Sequence, residues 1–128
     1  MSVLYVSNEQ GGSVSSYRLN SDTGTLTRWH TVSTLPSDFD GGNTCSQIRI
    51  TPDGKSLFAP NRGHNSIANF ALDPMTGALS LREIVPTEPM PRACQLDPGG
   101  RILLVAGIDS GRIAAYRIER EDGRLTAL

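Results

Sequence analysis

The stretch LFAPNRGHNSIANFAL, residues 57–72, decides the fold because its apolar pattern occurs three times in the chain. The earlier copy is LYVSNEQGGSVSSYRL, residues 4–19, which has Glu9 where the middle copy has Arg62. The copies open at Leu4, Leu57 and Leu103, so they lie 53 and then 46 residues apart. The same two spacings relate four further sets: Val14, Ile67 and Ile113; Tyr17, Phe70 and Tyr116; Leu19, Leu72 and Ile118; and the turn glycines Gly24, Gly77 and Gly123. Spacings kept at so many positions indicate an internal structural repeat.

A repeat of about 40 to 50 residues that carries four short β-strands is typical of a propeller blade. The middle copy contains four candidate strands: SQIRIT at 46–51, SLFAPN at 56–61, SIANFAL at 66–72 and LSLREIV at 79–85. The turns between them are short, which predicts antiparallel neighbours. The sequence therefore predicts an all-β fold made of about three four-stranded antiparallel blades in an incomplete ring. At equivalent positions Tyr17, Phe70 and Tyr116 are predicted to pack between blades.

The blade-like repeats are expected at about 1–45, 46–90 and 91–128, within a single partial domain. The first would lack its inner strand, because nothing before Leu4 matches residues 46–51, and the last would stop within its fourth strand. Closed propellers typically have four to eight blades. About three blades leave sheet edges and faces open, so we predict self-association through these edges, with a marginal, partly mobile monomer as the alternative.

Charge and composition argue against several functional classes. The 12 basic and 13 acidic residues form no basic cluster, so we expect no nucleic-acid partner. No window approaches the roughly 20 apolar residues of a membrane span, and we expect a soluble, cytoplasmic protein without a membrane partner. Cys45 and Cys94 have no C-x-x-C spacing and are predicted to be buried free thiols.

Neither a metal nor another cofactor is expected. The loop SDFDGGN, residues 37–43, offers Asp38, Asp40 and Asn43, but it lacks the length and the closing glutamate of an EF-hand. The chain also has no G-x-S-x-G elbow and no H-E-x-x-H motif, which disfavours serine-nucleophile and zinc chemistry.

The segments LYVSNE, LPSDFDGGN, IRITPDGKSLFAPNRGHNSI and PTEPMPRACQLDPGGRILLVAG together resemble the seven-bladed lactonase propellers. This family includes bacterial propeller-type 6-phosphogluconolactonases and fungal carboxymuconate cyclases, and the resemblance spans almost the whole chain. It implies a fragment or truncated member of a family that hydrolyses a small sugar lactone, such as a phosphorylated one. Two alternatives remain open: a muconate lactonising cyclase on the same scaffold, and a catalytically silent β-repeat module that serves assembly or binding.

The resemblance implies that Glu9 and Arg62 are catalytic, because they match an acidic residue and an arginine that close the second strands of adjacent blades. Glu9 would activate water and Arg62 would stabilise the developing oxyanion. Arg92, in a related Pro-Arg pair, would point toward the channel mouth, and Arg62 or Arg92 would suit a phosphate. The remaining substrate-binding candidates are His64, Asn8 and Asn61.

Each candidate also has a structural interpretation. Glu9 and Arg62 would then form a surface ion pair of little energetic consequence. Asn8 and Asn61 would be turn asparagines that bond their own backbone, Arg92 would have a structural or solvent-facing role, and His64 would be a turn residue.

The chain departs from the family pattern at several positions. Gln47 stands where the family often has glutamate, and Pro60 replaces a serine inside a strand, where proline cannot donate a ladder hydrogen bond. The third copy has Gly107 and Ile108 where the others have Asn8-Glu9 and Asn61-Arg62. A histidine and a further arginine of the family's site have no counterpart in this sequence. Any site should therefore involve the first two copies and Arg92.

Overall fold

A computed structural model describes residues 2–128, and the regular structure in that range is entirely β-strand. The first sheet contains β1 (Ser2–Asn8), β2 (Ser13–Leu19) and β3 (Leu26–Ser33). The second contains β4 (Thr44–Cys45), β5 (Arg49–Ile50), β6 (Ser56–Arg62), β7 (Ser66–Leu72) and β8 (Leu79–Pro86). The third contains β9 (Pro91–Leu96), β10 (Ile102–Gly107), β11 (Ile113–Ile118) and β12 (Leu125–Ala127).

The strands within each sheet follow one another as antiparallel neighbours, which confirms the all-β, antiparallel prediction. Three of the four strands predicted in the middle copy form within one residue of their expected bounds. The prediction of a single strand at 46–51 is wrong, because this edge of the sheet consists of the two short strands β4 and β5.

The interruption between β4 and β5 is a β-bulge. Cys45 pairs with Asn61, and Arg49 pairs with Phe58, so the three residues 46–48 face only the two residues 59–60. Pro60 lies at this point and has no N–H with which to bond the neighbouring strand. Its carbonyl oxygen still accepts a hydrogen bond from the Ser46 amide, at 3.3 Å.

The third sheet has a bulge at the same place. Gly107 pairs with Pro91 and Ala106 pairs with Ala93, which leaves Arg92 without a cross-strand partner. Arg92 occupies the repeat position of Ser46 in the second sheet, because the two residues are separated by the repeat offset of 46. Because an extra residue bends its strand and redirects side chains, the two bulges give Ser46 and Arg92 related orientations.

The second sheet is packed between the other two. Its Leu57, Ala59 and Phe70 form one core with Val14 of the first sheet. Phe58 and Ile67, on its opposite face, form another core with third-sheet residues, among them Leu103, Val105 and Tyr116. Burial on both faces accounts for the nearly continuous apolar run SLFAP. Phe70 and Tyr116 pack between sheets as predicted, whereas Tyr17 is half-buried on a face that no described sheet covers.

Both outer faces of this three-sheet stack are apolar and exposed within residues 2–128. On the first sheet, Leu4 is 45% exposed, and it occupies the repeat position of the buried Leu57. On the third sheet, Ile113 is 68% exposed and corresponds to the buried Ile67. Further exposed residues on these faces are Val6, Leu19 and Leu26 on the first sheet and Leu104 on the third. No helix in the described range is long and apolar enough to cross a membrane.

Candidate functional site

Glu9 and Arg62 meet at the same end of two adjacent sheets. Arg62 is the last residue of β6, and Glu9 directly follows β1, at the equivalent repeat position. The Nη2 group of Arg62 donates a hydrogen bond to Oε1 of Glu9 at 2.7 Å. The predicted proximity of these two residues is therefore confirmed. The Glu9 side chain is 62% exposed, whereas that of Arg62 is 18% exposed, so the carboxylate is the accessible member of the pair.

The main chain of Cys45 connects the two residues. Its N–H donates to the Glu9 carbonyl oxygen at 2.8 Å, and its own carbonyl oxygen accepts from Arg62 Nη2 at 2.9 Å. Cys45 is held there because it pairs with Asn61 across the sheet. Sequence analysis identified Cys45 only as a buried free thiol, which it is. Nothing in its residue type indicated this main-chain role.

The side chain of Asn61 holds the strand end that carries Arg62. Its side chain is fully buried, with Oδ1 accepting from the Thr34 hydroxyl at 2.7 Å. Its Nδ2 donates to the Thr34 carbonyl at 2.8 Å and to Ser66 Oγ at 3.1 Å. These bonds tie the end of β6 to the chain that leaves β3 and position the adjacent Arg62. Since Asn61 has no exposed surface, its contacts are structural in this conformation.

Asn8 makes related contacts in the first sheet. Its Nδ2 donates to Ser13 Oγ at 2.9 Å and to Ser15 Oγ at 2.8 Å. Ser13 occupies the repeat position of Ser66 (13 plus 53), so both asparagines bind the start of the next strand in their own sheet. The sequence-based structural interpretation expected bonds to their own backbone, but the partners of Asn8 are side-chain hydroxyls.

His64 lies in the turn after Arg62 and faces away from the ion pair. Its Nδ1 is 2.7 Å from Ser66 Oγ, and its ring packs edge-on against Phe39 with 4.7 Å between ring centroids. Gly63 has a φ of +121°, and a Cβ atom there would clash with the Gly42 carbonyl oxygen. Glycine therefore lets the loop around residue 42 cross close to this turn.

One cavity brings together three of the six predicted site residues. It has a volume of about 330 Å³ and is lined by Ser7, Glu9, Cys45, Ser46, Gln47, Arg62 and Arg92. Glu9, Arg62 and Arg92 thus share one space, whereas Asn8, Asn61 and His64 do not line it. The volume is at the lower end of the range for small-molecule sites.

Three polar groups at this cavity have no hydrogen-bond partner in the described range, although their atoms are buried. They are Ser7 Oγ, Ser46 Oγ and Arg62 Nε, and the only other such group among residues 2–128 is Ser16 Oγ. Buried polar atoms are nearly always hydrogen-bonded, so this cluster of exceptions distinguishes the cavity from the rest of the described range. Sequence analysis missed Ser7 and Ser46, because isolated serines in strands carry no distinctive pattern.

The charges around the cavity are unequal. Two guanidinium groups and one carboxylate line it, and the carboxylate is paired with Arg62. Arg92 is exposed and forms no ion pair with any residue in the described range. The cavity therefore has an excess of one positive charge, located on Arg92.

Cys94 is not a candidate nucleophile. Cys94 is buried, which raises the pKa of its thiol to about 11, so the group stays protonated near neutral pH. Among residues 2–128, no three His, Cys, Asp or Glu side chains are grouped so as to hold a metal ion.

A larger cavity, of about 750 Å³, lies at the opposite end of the third sheet. It is lined by the turns before β10 and after β11 and contains none of the predicted site residues. Two of its charged side chains, Arg117 and Glu119, pair with each other at 3.1 Å. Size alone would favour this cavity, but the smaller one holds the convergent polar groups that a binding site needs.

Comparison with known proteins gives matches over nearly the whole chain. The family model for lactonases with a seven-bladed β-propeller matches residues 1–128. A 6-phosphogluconolactonase of Serratia proteamaculans is 32% identical over 124 residues, covering 97% of this chain and 38% of that protein. One of Klebsiella pneumoniae is 36% identical over 121 residues, covering 94% and 37%.

Solved structures show the same relationship. A protein of Lactobacillus plantarum superposes with a TM-score of 0.92 at 30% identity, covering 97% of this chain and 36% of that one. A periplasmic gluconolactonase of Pseudomonas aeruginosa gives a TM-score of 0.91 at 28% identity, covering 98% and 35%. The chain thus spans between about a third and two fifths of the length of these relatives.

Proposed function

The chain belongs to the seven-bladed β-propeller lactonase family, and on that premise we propose that it carries part of a site at which a sugar lactone is hydrolysed. Its three antiparallel sheets form a partial propeller. The observation that most supports the proposal is the ion pair of Glu9 and Arg62, which shares one cavity with Arg92. The relatives named above suggest 6-phosphogluconolactone as the substrate, and hence a role in carbohydrate metabolism, and they favour hydrolysis over cyclisation.

Glu9 is suited to act as the general base. Its exposed carboxylate would take a proton from a water molecule while the water oxygen bonds to the lactone carbonyl carbon. The ring carbon–oxygen bond then breaks, and the ring oxygen receives a proton, which yields the open hydroxy acid. This step requires no nucleophilic side chain.

Arg62 is suited to stabilise the negative charge that develops on the carbonyl oxygen. Its guanidinium is largely buried and is held by Glu9 and by the Cys45 carbonyl, so little reorganisation is needed during the reaction. Because the same arginine contacts the proposed base, the base and the stabilising cation lie next to one another around one bound carbonyl group.

A matched pair of variants tests this assignment. Arg62→Gln and Arg117→Gln each remove an arginine from an Arg–Glu ion pair, but Arg117 lies at the opposite end of the third sheet. Acid release from freshly prepared 6-phosphogluconolactone should fall by about 10²- to 10³-fold in Arg62→Gln, the usual effect of removing an oxyanion donor. Arg117→Gln should keep its activity. Equal losses in both variants would refute the role of Arg62.

We also propose that copies of the chain associate through the two open faces of the stack. Support comes from the repeat itself: Leu4 occupies the position of Leu57, which packs against the first sheet, and Ile113 occupies the position of Ile67, which packs against the third. The first-sheet face of one copy should therefore fit the third-sheet face of another, head to tail.

We propose a cytoplasmic location for the chain. Both cysteines are free and buried, as suits a reducing compartment. Recovery of the native protein in a periplasmic fraction, with a cytosolic marker absent from that fraction, would contradict this location.

A further inference from the structure

We infer that Arg92 recognises an anionic group of the substrate, remote from the lactone carbonyl, and so makes this site selective for charged over neutral lactones. The inference rests on the proposed lactone site and assigns a separate role within it. The anionic group is a phosphate or a carboxylate, since a guanidinium can bind either through two parallel hydrogen bonds.

The two arginines of the cavity differ in their availability. Arg62 Nη2 already donates to Glu9 and to the Cys45 carbonyl, and its side chain is 18% exposed. Arg92 is exposed and has no charged partner in the described range. A phosphate or carboxylate that bound Arg62 through Nη2 would compete with the Glu9 carboxylate, whereas one that bound Arg92 would displace no charged protein group.

The bulge in β9 places Arg92 beside the ion pair. Arg92 has no cross-strand partner, because the register shifts between Ala106 and Gly107. Both it and Ser46, at the corresponding bulge of the second sheet, line the cavity. Residues of two bulges in adjacent sheets thus border the same space, and one of them is a cation.

Two serines with unpartnered, buried hydroxyls lie beside this space. Ser7 Oγ and Ser46 Oγ are without hydrogen-bond partners in the described range and belong to residues that line the same cavity. The Glu9–Arg62 pair would then face the lactone ring, with Arg92 facing the charged end of a molecule about the size of one sugar.

The inference is tested with three lactones that differ at one end: 6-phosphogluconolactone, unphosphorylated gluconolactone, and glucarolactone, which has a carboxylate in place of the phosphate. In Arg92→Ala, KM for 6-phosphogluconolactone should rise roughly ten- to a hundredfold, as for the loss of a charge-assisted hydrogen bond, with kcat nearly unchanged. KM for gluconolactone should stay the same. If KM for glucarolactone rises in parallel, Arg92 recognises any anion. If KM for glucarolactone stays the same, Arg92 recognises phosphate specifically.

Arg101→Ala is the matched control, because Arg101 is an exposed arginine at the opposite cavity. It should change none of the three KM values. Arg92→Lys keeps the charge without the planar fork and should restore part of the affinity for 6-phosphogluconolactone. An equal KM rise for charged and neutral lactones in Arg92→Ala, or no rise for the phosphorylated one, would overturn the inference.

Binding of the reaction products separates this inference from the proposed catalysis. By NMR titration, 6-phosphogluconate should bind the unmodified chain more tightly than gluconate, and Arg92→Ala should abolish the difference. If neither lactone is hydrolysed but this difference is present, the catalytic proposal fails and the role of Arg92 stands. Equal binding of the two products by the unmodified chain would overturn the role of Arg92, whatever the hydrolysis rates.

Discussion

The carboxylate of Glu9 lies 2.7 Å from the guanidinium of Arg62, although 53 residues separate them. That separation is one repeat of the sequence, so the two side chains occupy the same position in adjacent sheets. The peptide of Cys45 bonds to both residues, through its N–H to Glu9 and through its carbonyl to Arg62. The apolar positions of the repeat pack the sheets against each other. The same repeat places two opposite charges side by side at the ends of equivalent strands in adjacent sheets.

Removing the Glu9 charge should affect stability very little. Glu9 is 62% exposed, and exposed ion pairs contribute at most about 1 kcal/mol. We expect Glu9→Gln to lower the free energy of unfolding in urea by no more than this amount. The control is Glu119→Gln, in the exposed pair with Arg117, and it should have a small effect as well. A loss above about 2 kcal/mol would mean that Glu9 is mainly a structural residue.

Asn61 should be a stability residue. Replacement by alanine removes the bonds to Thr34 and Ser66, and the buried Thr34 carbonyl oxygen loses its bond to Asn61 Nδ2. We expect Asn61→Ala to lower the free energy of unfolding by about 2 to 4 kcal/mol. The control is Asn20→Ala, in an exposed turn where Oδ1 accepts from the amides of Asp22 and Thr23, and it should cost less. Similar losses in both variants would contradict the role given to Asn61.

Acid should destabilise the turn between β9 and β10. The carboxylate of Asp97 accepts hydrogen bonds from the amides of Ile102, Arg101 and Gly99, which lowers its pKa below the ordinary 3.8. A lowered folded-state pKa gives stability that is complete above the unfolded-state pKa and is lost as the pH falls through the folded-state value. The Tm should therefore fall below about pH 4.

Asp97→Asn should have a lower Tm than the unmodified chain at neutral pH, and the difference should narrow below about pH 4. Asp22→Asn is the control, since the Asp22 carboxylate accepts no hydrogen bond from residues 2–128 in the structure. A Tm difference for Asp97→Asn that does not change with pH would show that the Asp97 charge has no part in acid stability.

The association of copies should depend on both open faces. Leu4→Glu and Ile113→Glu each place a charge on one face, and each variant alone should show a lower mass by light scattering than the unmodified chain. A mixture of the two variants should form a one-to-one pair, because one head-to-tail interface stays free of the new charges. Met75→Glu, at an apolar side chain exposed in a turn, should leave the mass unchanged.

Two results would contradict this mode of association. A monomeric unmodified chain would exclude self-association. Sensitivity to only one of the two substitutions would instead indicate that like faces pair with each other.

The sequence predicted those parts of the molecule that the repeat determines. The offset of 53 placed Glu9 beside Arg62, and the offset of 46 placed Phe70 and Tyr116 at equivalent positions between sheets. The bulge between β4 and β5 was missed, since a one-residue change of register depends on cross-strand pairing near Pro60. The apolar and β-branched residues of SQIRIT, residues 46–51, predicted one continuous strand.

The polar support of the site was also beyond prediction. Cys45 acts through its peptide group, which every residue type possesses, and Ser46 lines the cavity because a bulge directs it there. Asn61 was named as a substrate-binding candidate from its position before a turn. Its burial, however, depends on Thr34, which is 27 residues away in the sequence.

The most direct test of the central claim is the rate of 6-phosphogluconolactone hydrolysis by the unmodified chain and by Glu9→Gln at equal concentration. Glutamine keeps the size of the side chain but cannot accept the proton of the attacking water. The unmodified chain should exceed the spontaneous rate, and the variant should lose about 10²- to 10⁴-fold of that excess, the usual contribution of a general base. Equal rates for both proteins, or no excess over spontaneous hydrolysis, would contradict the assignment of this cavity as a lactonase site.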